Sequence, residues 1–339
     1  MHTHSNRHHA ACLRGKWPRD SAAYKLTAKV PTAHPSQTAA HVLGEITKDI
    51  SQFDTIDYIY VVDEEWHLTG VLSIGELYRA DPQAAIGRVC RRRDLVMVKP
   101  ETDQERVVYI ALKHNIKAVP VVNRDHCFLG AIPSDTILHI LFRETHEDIL
   151  RLGGVYNHSR NPFDNILTLP LGQSVRHRLP WLLLGLLGGL LAAHIIGLFE
   201  ATLRHNLILA AFIPLIVYMG DAVGTQMEAF MIRDLAFDRS LPFMRYLLRQ
   251  MVIISVIGVL SSAALFCAAF LLYGDVRVSG VLGLSLFIAI CSSVLTGVVT
   301  PYLFHKMKFD PANASGPVAT IIQDLLSIII YFGLATVLL

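Results

Sequence analysis

Charged residues are scarce in this chain of 339 residues: Asp, Glu, Lys and Arg make up 17% of it, where about 25% is usual in a soluble protein. The deficit is uneven. Residues 1–180 hold 22 Lys/Arg and 20 Asp/Glu, whereas 181–339 hold only 8 of each. The first half therefore reads as an ordinary soluble domain and the second does not, while a hydrophobic share of 52% excludes general disorder. The five cysteines are scattered without Cys-x-x-Cys spacing, which excludes a disulfide framework and a zinc ribbon. No dense basic stripe accompanies the net charge of +2, so nucleic acid is not an expected partner. The opening MHTHSNRHHA lacks the apolar core of a secretory leader, and the first half is expected in the cytosol. Residues 1–29 read as a disordered, His-rich tail in which His2, His4, His8 and His9 are at most loose metal ligands. Neither a nucleophile–base pair nor a phosphate cradle is found, so an enzyme is not expected.

Long apolar runs are what the second half does have. Residues 181–199 are interrupted only by His194, 251–273 and 278–304 carry one charge-free run each, 206–220 is apolar, and the closing 312–339 carries Asp324 alone. With 206–220 continued through the polar-spiked stretch 221–232, each approaches or exceeds the roughly 20 residues of a helical membrane span. The expected spans are about 180–202, 206–232, 246–273, 279–305 and 312–339. Arg176, Arg178, Arg233, Arg239, Arg245, Arg249, Lys306 and Lys308 lie in loops on one side, against Arg204 and Arg277 on the other. The excess of positive charge marks the cytoplasmic side, so the N-terminal half is expected inside the cell membrane and the C-terminus outside.

The first half repeats itself. A strand-like run from Asp57 to Asp63, a second at Leu68–Ser73 and a helical Ile74–Arg79 recur about sixty residues later as Ala118–Asn123, Cys127–Ile132 and the helical 134–142. An amphipathic helix precedes each copy, near 38–50 and 103–115. Two such copies imply paired α/β modules packed on one another. The pattern resembles a tandem CBS pair, expected over 30–152, a regulatory module that commonly binds adenine nucleotides or ions. That family holds ribose with Gly-x-x-Ser/Thr-x-x-Asp. The first copy matches with Gly70, Ser73 and Glu76, whereas the second, with Gly130, Pro133 and Thr136, lacks the carboxylate. Ser73 and Glu76 are thus the candidate nucleotide residues, and a pair that binds no nucleotide is the competing reading.

Charges inside spans are costly and usually functional. Asp324 has thirteen uncharged residues before it and fifteen after. The second span carries Pro214, Gly220 and Gly224, which suggest a broken helix with exposed carbonyls, beside Asp221, Thr225, Gln226 and Glu228. All are hard oxygen ligands suited to Mg²⁺ or Ca²⁺ rather than copper or zinc. Gly185 and Gly189 give a small-xxx-small spacing on span one.

These segments also carry a family resemblance. Arg178-Leu-Pro-Trp181, Gly197-Leu-Phe-Glu200, Gly220-x-x-x-Gly-Thr-Gln226, Ile232-Arg-Asp-Leu-Ala236, Asp310-Pro-Ala-Asn-Ala-Ser-Gly-Pro317 and Val318 to Tyr331 resemble MgtE-type magnesium channels. The order of CBS pair, linker and five spans fits as well. The resemblance implies an α/β tandem CBS domain followed by an all-α domain of five transmembrane helices at 179–339, joined by a plug-like connecting helix at 153–178. It implies a homodimer in membrane lipid with the pore on the two-fold axis, Asp324 as the central pore carboxylate and Glu200 among the path residues. The cargo is Mg²⁺, entering passively down the membrane potential under the control of the CBS pair. Three departures stand out. Asp221-Ala222 replaces the family's Gly-Asn, Asp234 replaces a small residue, and the family's helical N-terminal domain of about a hundred residues does not precede the CBS pair. Surviving regulatory Mg²⁺ ligands are then expected among Glu144, Glu147, Asp148 and Asp234. A secondary exchanger of divalent cations and a nontransporting membrane sensor are the alternatives.

Overall fold

The computed structural model describes residues 17–153, 155, 167, 169–237, 241–307 and 317–339. The His-rich start, most of the expected connecting segment and most of the Asp310-to-Pro317 motif lie outside the described residues. The chain divides into two compact units, 1–144 and 145–339.

In the first unit the repeat is visible hydrogen bond by hydrogen bond. Strands β2 (Tyr58–Val62) and β3 (Leu68–Ser73) form an antiparallel hairpin, to which β1 (Thr32–Ala33) adds in parallel. In the second copy β4 (Val119–Val122) pairs with β5 (Phe128–Ile132) in the same way, and both hairpins shift register at the same place, Val61/Val62 and Val121/Val122. The turns repeat too. Asp63 Oδ1 accepts from the amides of Glu65 and His67, and Asn123 Oδ1 accepts from those of Asp125 and Cys127. Both turns place a residue other than glycine at positive φ, Trp66 at 68° and His126 at 61°. Asx side chains hold such turns by standing in for backbone acceptors.

The strands are runs of Val, Ile and Tyr, residues that fit a pleated, half-buried surface. Helix α2 (Ala39–Lys48) begins where Thr38 accepts from the His41 amide, and α5 (Gln104–His114) where Asp103 accepts from that of Glu105. Asn115 ends α5 in the left-handed conformation at φ 51°. Helices α3 (Ile74–Arg79), α4 (Ile86–Val89) and α6 (Ser134–Leu152) complete the modules. Each copy has its own core, and a third apolar cluster lies between the hairpins, where Tyr60 and Phe128 stack with ring centroids 4.7 Å apart.

The expected tail boundary needs correcting. Residues 17–29 are described, and helix α1 (Ala22–Lys25) sets Ala22 in the core of the second copy with Leu26 packed against it. Ala22 is fully buried, its amide donates to the Thr102 carbonyl at 2.7 Å, and Thr27 bridges Ala131. The second copy uses chain from ahead of the first to close its sheet edge, so composition near residue 25 does not reveal the boundary. Gly130, at φ 149°, is required by this closure, because a Cβ there would meet the Thr27 carbonyl.

The second unit contains five helices long and apolar enough to cross a membrane among the described residues: 171–198, 208–235, 243–273, 276–306 and 318–338. The first is α7 (Leu171–Leu198), and α8 (Glu200–His205) is the short helix after it. Next come α9 (Ile208–Phe237) and α10 (Phe243–Tyr273). The fourth crossing runs from α11 (Val276–Val294) through a π-turn at Leu295–Val299 into α12 (Thr300–Lys306), and α13 (Pro317–Leu338) is the fifth. The part of the connecting segment from Leu171 onward is the start of the first long helix rather than a separate element. The core of this unit joins α9, α10, α11 and α13 through Ile216, Met227, Leu265, Leu282, Ile290 and Phe332. Helix α7 meets α13 at Gly188, where a Cβ would lie 2.7 Å from the Ile321 side chain. Gly185 and Gly189, the expected small-residue pair, have no neighbour within 4 Å of a Cβ built on them.

Candidate functional site

Two carboxylates stand within the apolar helices. Asp221 stands on α9 and Asp324 on α13, both half-buried, and close enough for the charge of Asp221 to act on Asp324. The Thr320 hydroxyl, one turn before Asp324, hydrogen-bonds to the Asp221 carboxylate. Side chains four apart on a helix lie one above the other, so Thr320 and Asp324 present one face of α13 to Asp221. Of the remaining expected path residues on α9, Thr225 and Gln226 are exposed on the outside of the single chain, whereas Glu228 is buried at 4% exposure.

Gly220 and Gly224 have a different job from the one the sequence suggests. Helix α9 is unbroken from Ile208 to Phe237 despite Pro214, so it offers no run of freed carbonyls among these residues. Both glycines face inward instead. A Cβ at Gly220 would lie 2.7 Å from Ser327 Oγ and 2.9 Å from Gln323 Nε2, and one at Gly224 would lie 3.3 Å from Thr296 Oγ1. They are contact points that let α9 press on α13 and on the fourth crossing. The irregular backbone lies in that fourth crossing, where the π-turn precedes Pro301. Proline cannot donate to the helix ladder, and extra-residue turns of this kind accommodate such defects. The Thr300 hydroxyl donates to the Leu295 carbonyl at 2.9 Å there.

A buried polar knot adjoins the carboxylates, and the sequence reading missed it. Gln323 is 1% exposed. Its side-chain amide donates to the Ala289 carbonyl at 3.1 Å and to Ser327 Oγ at 3.1 Å, with Ser292 Oγ a third acceptor at 3.3 Å. Its Oε1 accepts from the Thr296 hydroxyl at 3.1 Å. The available signal was a glutamine beside the lone carboxylate of a long apolar run, since an amide at that depth must be paired.

Other expected residues lie apart. Glu200, on α8, is exposed and bound by Arg204 at 2.6 Å. Thr202 on the same short helix bonds to Thr336 at 2.8 Å, twelve residues and therefore about 18 Å along α13 from Asp324. Asp234 is bound by Arg233 at 2.8 Å and by the Tyr246 hydroxyl at 3.1 Å, a tie between α9 and α10. Glu144 accepts from Gln104 and lies 3.3 Å from Arg143, which also reaches Asp20. In this cluster burial, then the Arg143 charge, lower the Lys25 pKa, with Asp20 and Glu144 opposing. Glu147 is paired with Arg151 one turn on, and Asp148 lies on the same helix, α6. No group of three or more His, Cys, Asp or Glu with metal-holding geometry occurs among the described residues.

The CBS residues form a cleft of about 430 Å³ lined by Ser73, Glu76, Arg91, Arg93, His114 and Pro120, among others. Ser73 and Glu76 make a reciprocal cap on α3. Ser73 Oγ accepts from the Glu76 amide and donates to Glu76 Oε2 at 2.7 Å, and Arg91 reaches Oε1 at 3.0 Å. Burial opposes ionisation of Glu76, but the Ser73 bonds and the Arg91 charge outweigh it and hold the carboxyl below its ordinary value. The cleft thus places a hydroxyl and a carboxylate, bonded to one another, beside two guanidinium groups.

Comparison with known proteins agrees with this architecture. Residues 23–82 and 86–143 each match the CBS domain family, and 213–334 match the MgtE family, described as divalent cation transporters. The chain is 30% identical over 319 residues to the magnesium transporter MgtE of Enterococcus faecalis, covering 94% of this chain and 69% of that protein. It is 29% identical over 329 residues to MgtE of Bacillus subtilis, covering 96% and 71%. The crystal structure of the cytosolic domain of the Mg²⁺ channel MgtE in complex with ATP shares 29% identity, over 40% of this chain and 54% of that one, at a TM-score of 0.37. A CBS pair followed by five apolar helices with carboxylates among them defines a multi-pass membrane protein of the cation-transport class. Within that class, the chain belongs to the MgtE family of divalent cation transporters.

Proposed function

We propose that this protein carries Mg²⁺ across the cell membrane as a channel, with Asp324 and Asp221 as the carboxylates that meet the ion. The observation that carries the reading is the presence of these two half-buried acids on α9 and α13, helices packed on one another at Gly220 and Gln323 in the midst of apolar spans. Mg²⁺ sheds its water reluctantly, so the two carboxylates hold an ion that keeps much of its hydration shell, with the Thr320 hydroxyl fixing one of them. The inside-negative potential supplies about 4.6 kcal/mol per 100 mV for a divalent cation, at about 2.3 per charge. One chain presents Thr225 and Gln226 outward, and a homodimer in lipid turns this face into the wall of a shared path. The domains follow as a cytoplasmic CBS pair, a connecting segment and a five-helix membrane region, with the C-terminus outside.

The CBS cleft binds an adenine nucleotide through Ser73 and Glu76, with Arg91 and Arg93 toward the phosphates. Internal Mg²⁺ acts through Glu144, Glu147 and Asp148, and at Glu144 and Glu147 it must displace Arg143 and Arg151, which makes regulation by this route weak.

The test is Mg²⁺ uptake into proteoliposomes under an inside-negative potential. Wild type is expected to load, and Asp324→Ala to abolish loading while leaving folded dimers. Equal uptake by both would refute the path through Asp324. Uptake that requires a counter-gradient of Na⁺ or H⁺ and shows no unitary current would replace the channel with an exchanger, and uptake by neither would leave a membrane sensor.

A further inference from the structure

The polar knot around Gln323 joins three elements. It draws on α13, on α11 and on the π-turn after it, and it abuts the glycine face of α9. We infer that Gln323 is a positioning residue for the cation path, clamping the rotation of α13 so that Asp324 and Asp221 stay aimed at a common ion. The inference rests on the carboxylate reading above and adds to it the element that orients the ligands.

The geometry links the two roles. Residues adjacent in a helix are separated by about 100° around the axis, so fixing Gln323 against the fourth crossing fixes where Asp324 points. Turning α13 would strip Gln323 of the Ala289, Ser292 and Thr296 bonds together. Gln323 is 1% exposed, so a turned side chain finds no solvent in its pocket to replace them. The same turn would move Thr320 and release the bond it makes to Asp221. Gly220 shuts the remaining side, since a Cβ there would collide with both Ser327 Oγ and Gln323 Nε2. Each carboxylate is therefore set by the orientation of one helix, and Gln323 sets that orientation. Thr296 belongs to the π-turn, and its hydroxyl is shared between the Ser293 carbonyl at 3.0 Å and the Gln323 side-chain oxygen at 3.1 Å.

The experiment measures Mg²⁺ uptake against external concentration for full-length wild type, Gln323→Leu and Thr296→Val, each reconstituted after thermal unfolding and oligomeric state have been recorded. Groups that orient metal ligands change affinity by about 10- to 100-fold when removed. Both variants are expected to raise the half-saturating Mg²⁺ concentration by about tenfold or more while the rate at saturation changes less. A residue that only fills space would lower the saturating rate, through loss of folded protein, and leave half-saturation where it was; that result overturns the inference. Should Gln323→Leu fail to fold, Thr296→Val carries the test, because it keeps its shape and removes one hydroxyl. Wild type that takes up no Mg²⁺ refutes the cation path and this inference with it. Wild-type uptake with unchanged half-saturation in the variants refutes the inference alone.

Discussion

Single residues here gain their roles from what surrounds them. Ser73 and Glu76 match a ribose-holding pair in sequence, and in the fold they also cap α3 and bind Arg91. Removing the Ser73 hydroxyl is expected to cost about 1 kcal/mol of stability, read as a lower thermal midpoint for Ser73→Ala in the intact protein. The pH dependence has a definite sign. The Glu76 pKa is depressed in the folded state, so its contribution is present at neutral pH and is lost as the pH falls through that lowered value, below the ordinary carboxylate range near 4.3. Glu76→Gln should accordingly flatten the acid limb of the stability profile; a profile identical to wild type would refute this role. Glu200 and Glu147 show the opposite lesson: each is one turn from an arginine that binds it, which a search for carboxylates alone does not weigh.

At the scale of elements, the fourth crossing departs from the regular helix at the π-turn of Leu295–Val299. Gly297, in its π-turn, has the Gly224 carbonyl 2.6 Å and the Met227 Cβ 2.7 Å from where a Cβ would stand. Backbone cannot yield as a side-chain tip can, so Gly297→Ala is expected to destabilise the membrane region by about 1–3 kcal/mol. Gly185→Ala on α7, with nothing within 4 Å, should leave the thermal midpoint of the detergent-solubilised protein nearly unchanged. Equal midpoints for the two variants would mean that the π-turn is not tightly packed against α9. The second span, read from Pro214, Gly220 and Gly224 as a broken helix, is continuous, because its glycines serve close approach rather than a turn.

For the whole molecule, the CBS cleft and the membrane region offer separate handles. A nucleotide that binds only the folded cleft stabilises it by mass action, about 2.7 kcal/mol at a hundred times its dissociation constant. ATP is therefore expected to raise the unfolding temperature of wild type and to do so less for Arg91→Ala, which removes a cation from the cleft lining. No shift at millimolar ATP would eliminate the cleft as a nucleotide site. The excess of Arg and Lys in one set of loops predicts that Arg245 and Lys306 face the cytoplasm with the CBS pair. Thiol labelling of Arg245→Cys and Lys306→Cys from outside whole cells should be slow, and rapid labelling would reverse the orientation.

Much of this protein was legible in its sequence because the signals are local. Five long apolar runs, a repeated strand–strand–helix unit and a solitary Asp324 each depend on residues near one another in the chain. Hydrophobic length and β-branched runs fix such elements wherever they fall. The rest depended on residues brought together from distant segments. Ala22 in the core of the second module, Glu144 held by Gln104, and Gln323 bonded across to Ala289 and Thr296 are all such pairings. Whether a polar or glycine residue inside a span is a ligand, a hinge or a packing contact is decided by the neighbour that meets it, and only the tertiary structure supplies that neighbour.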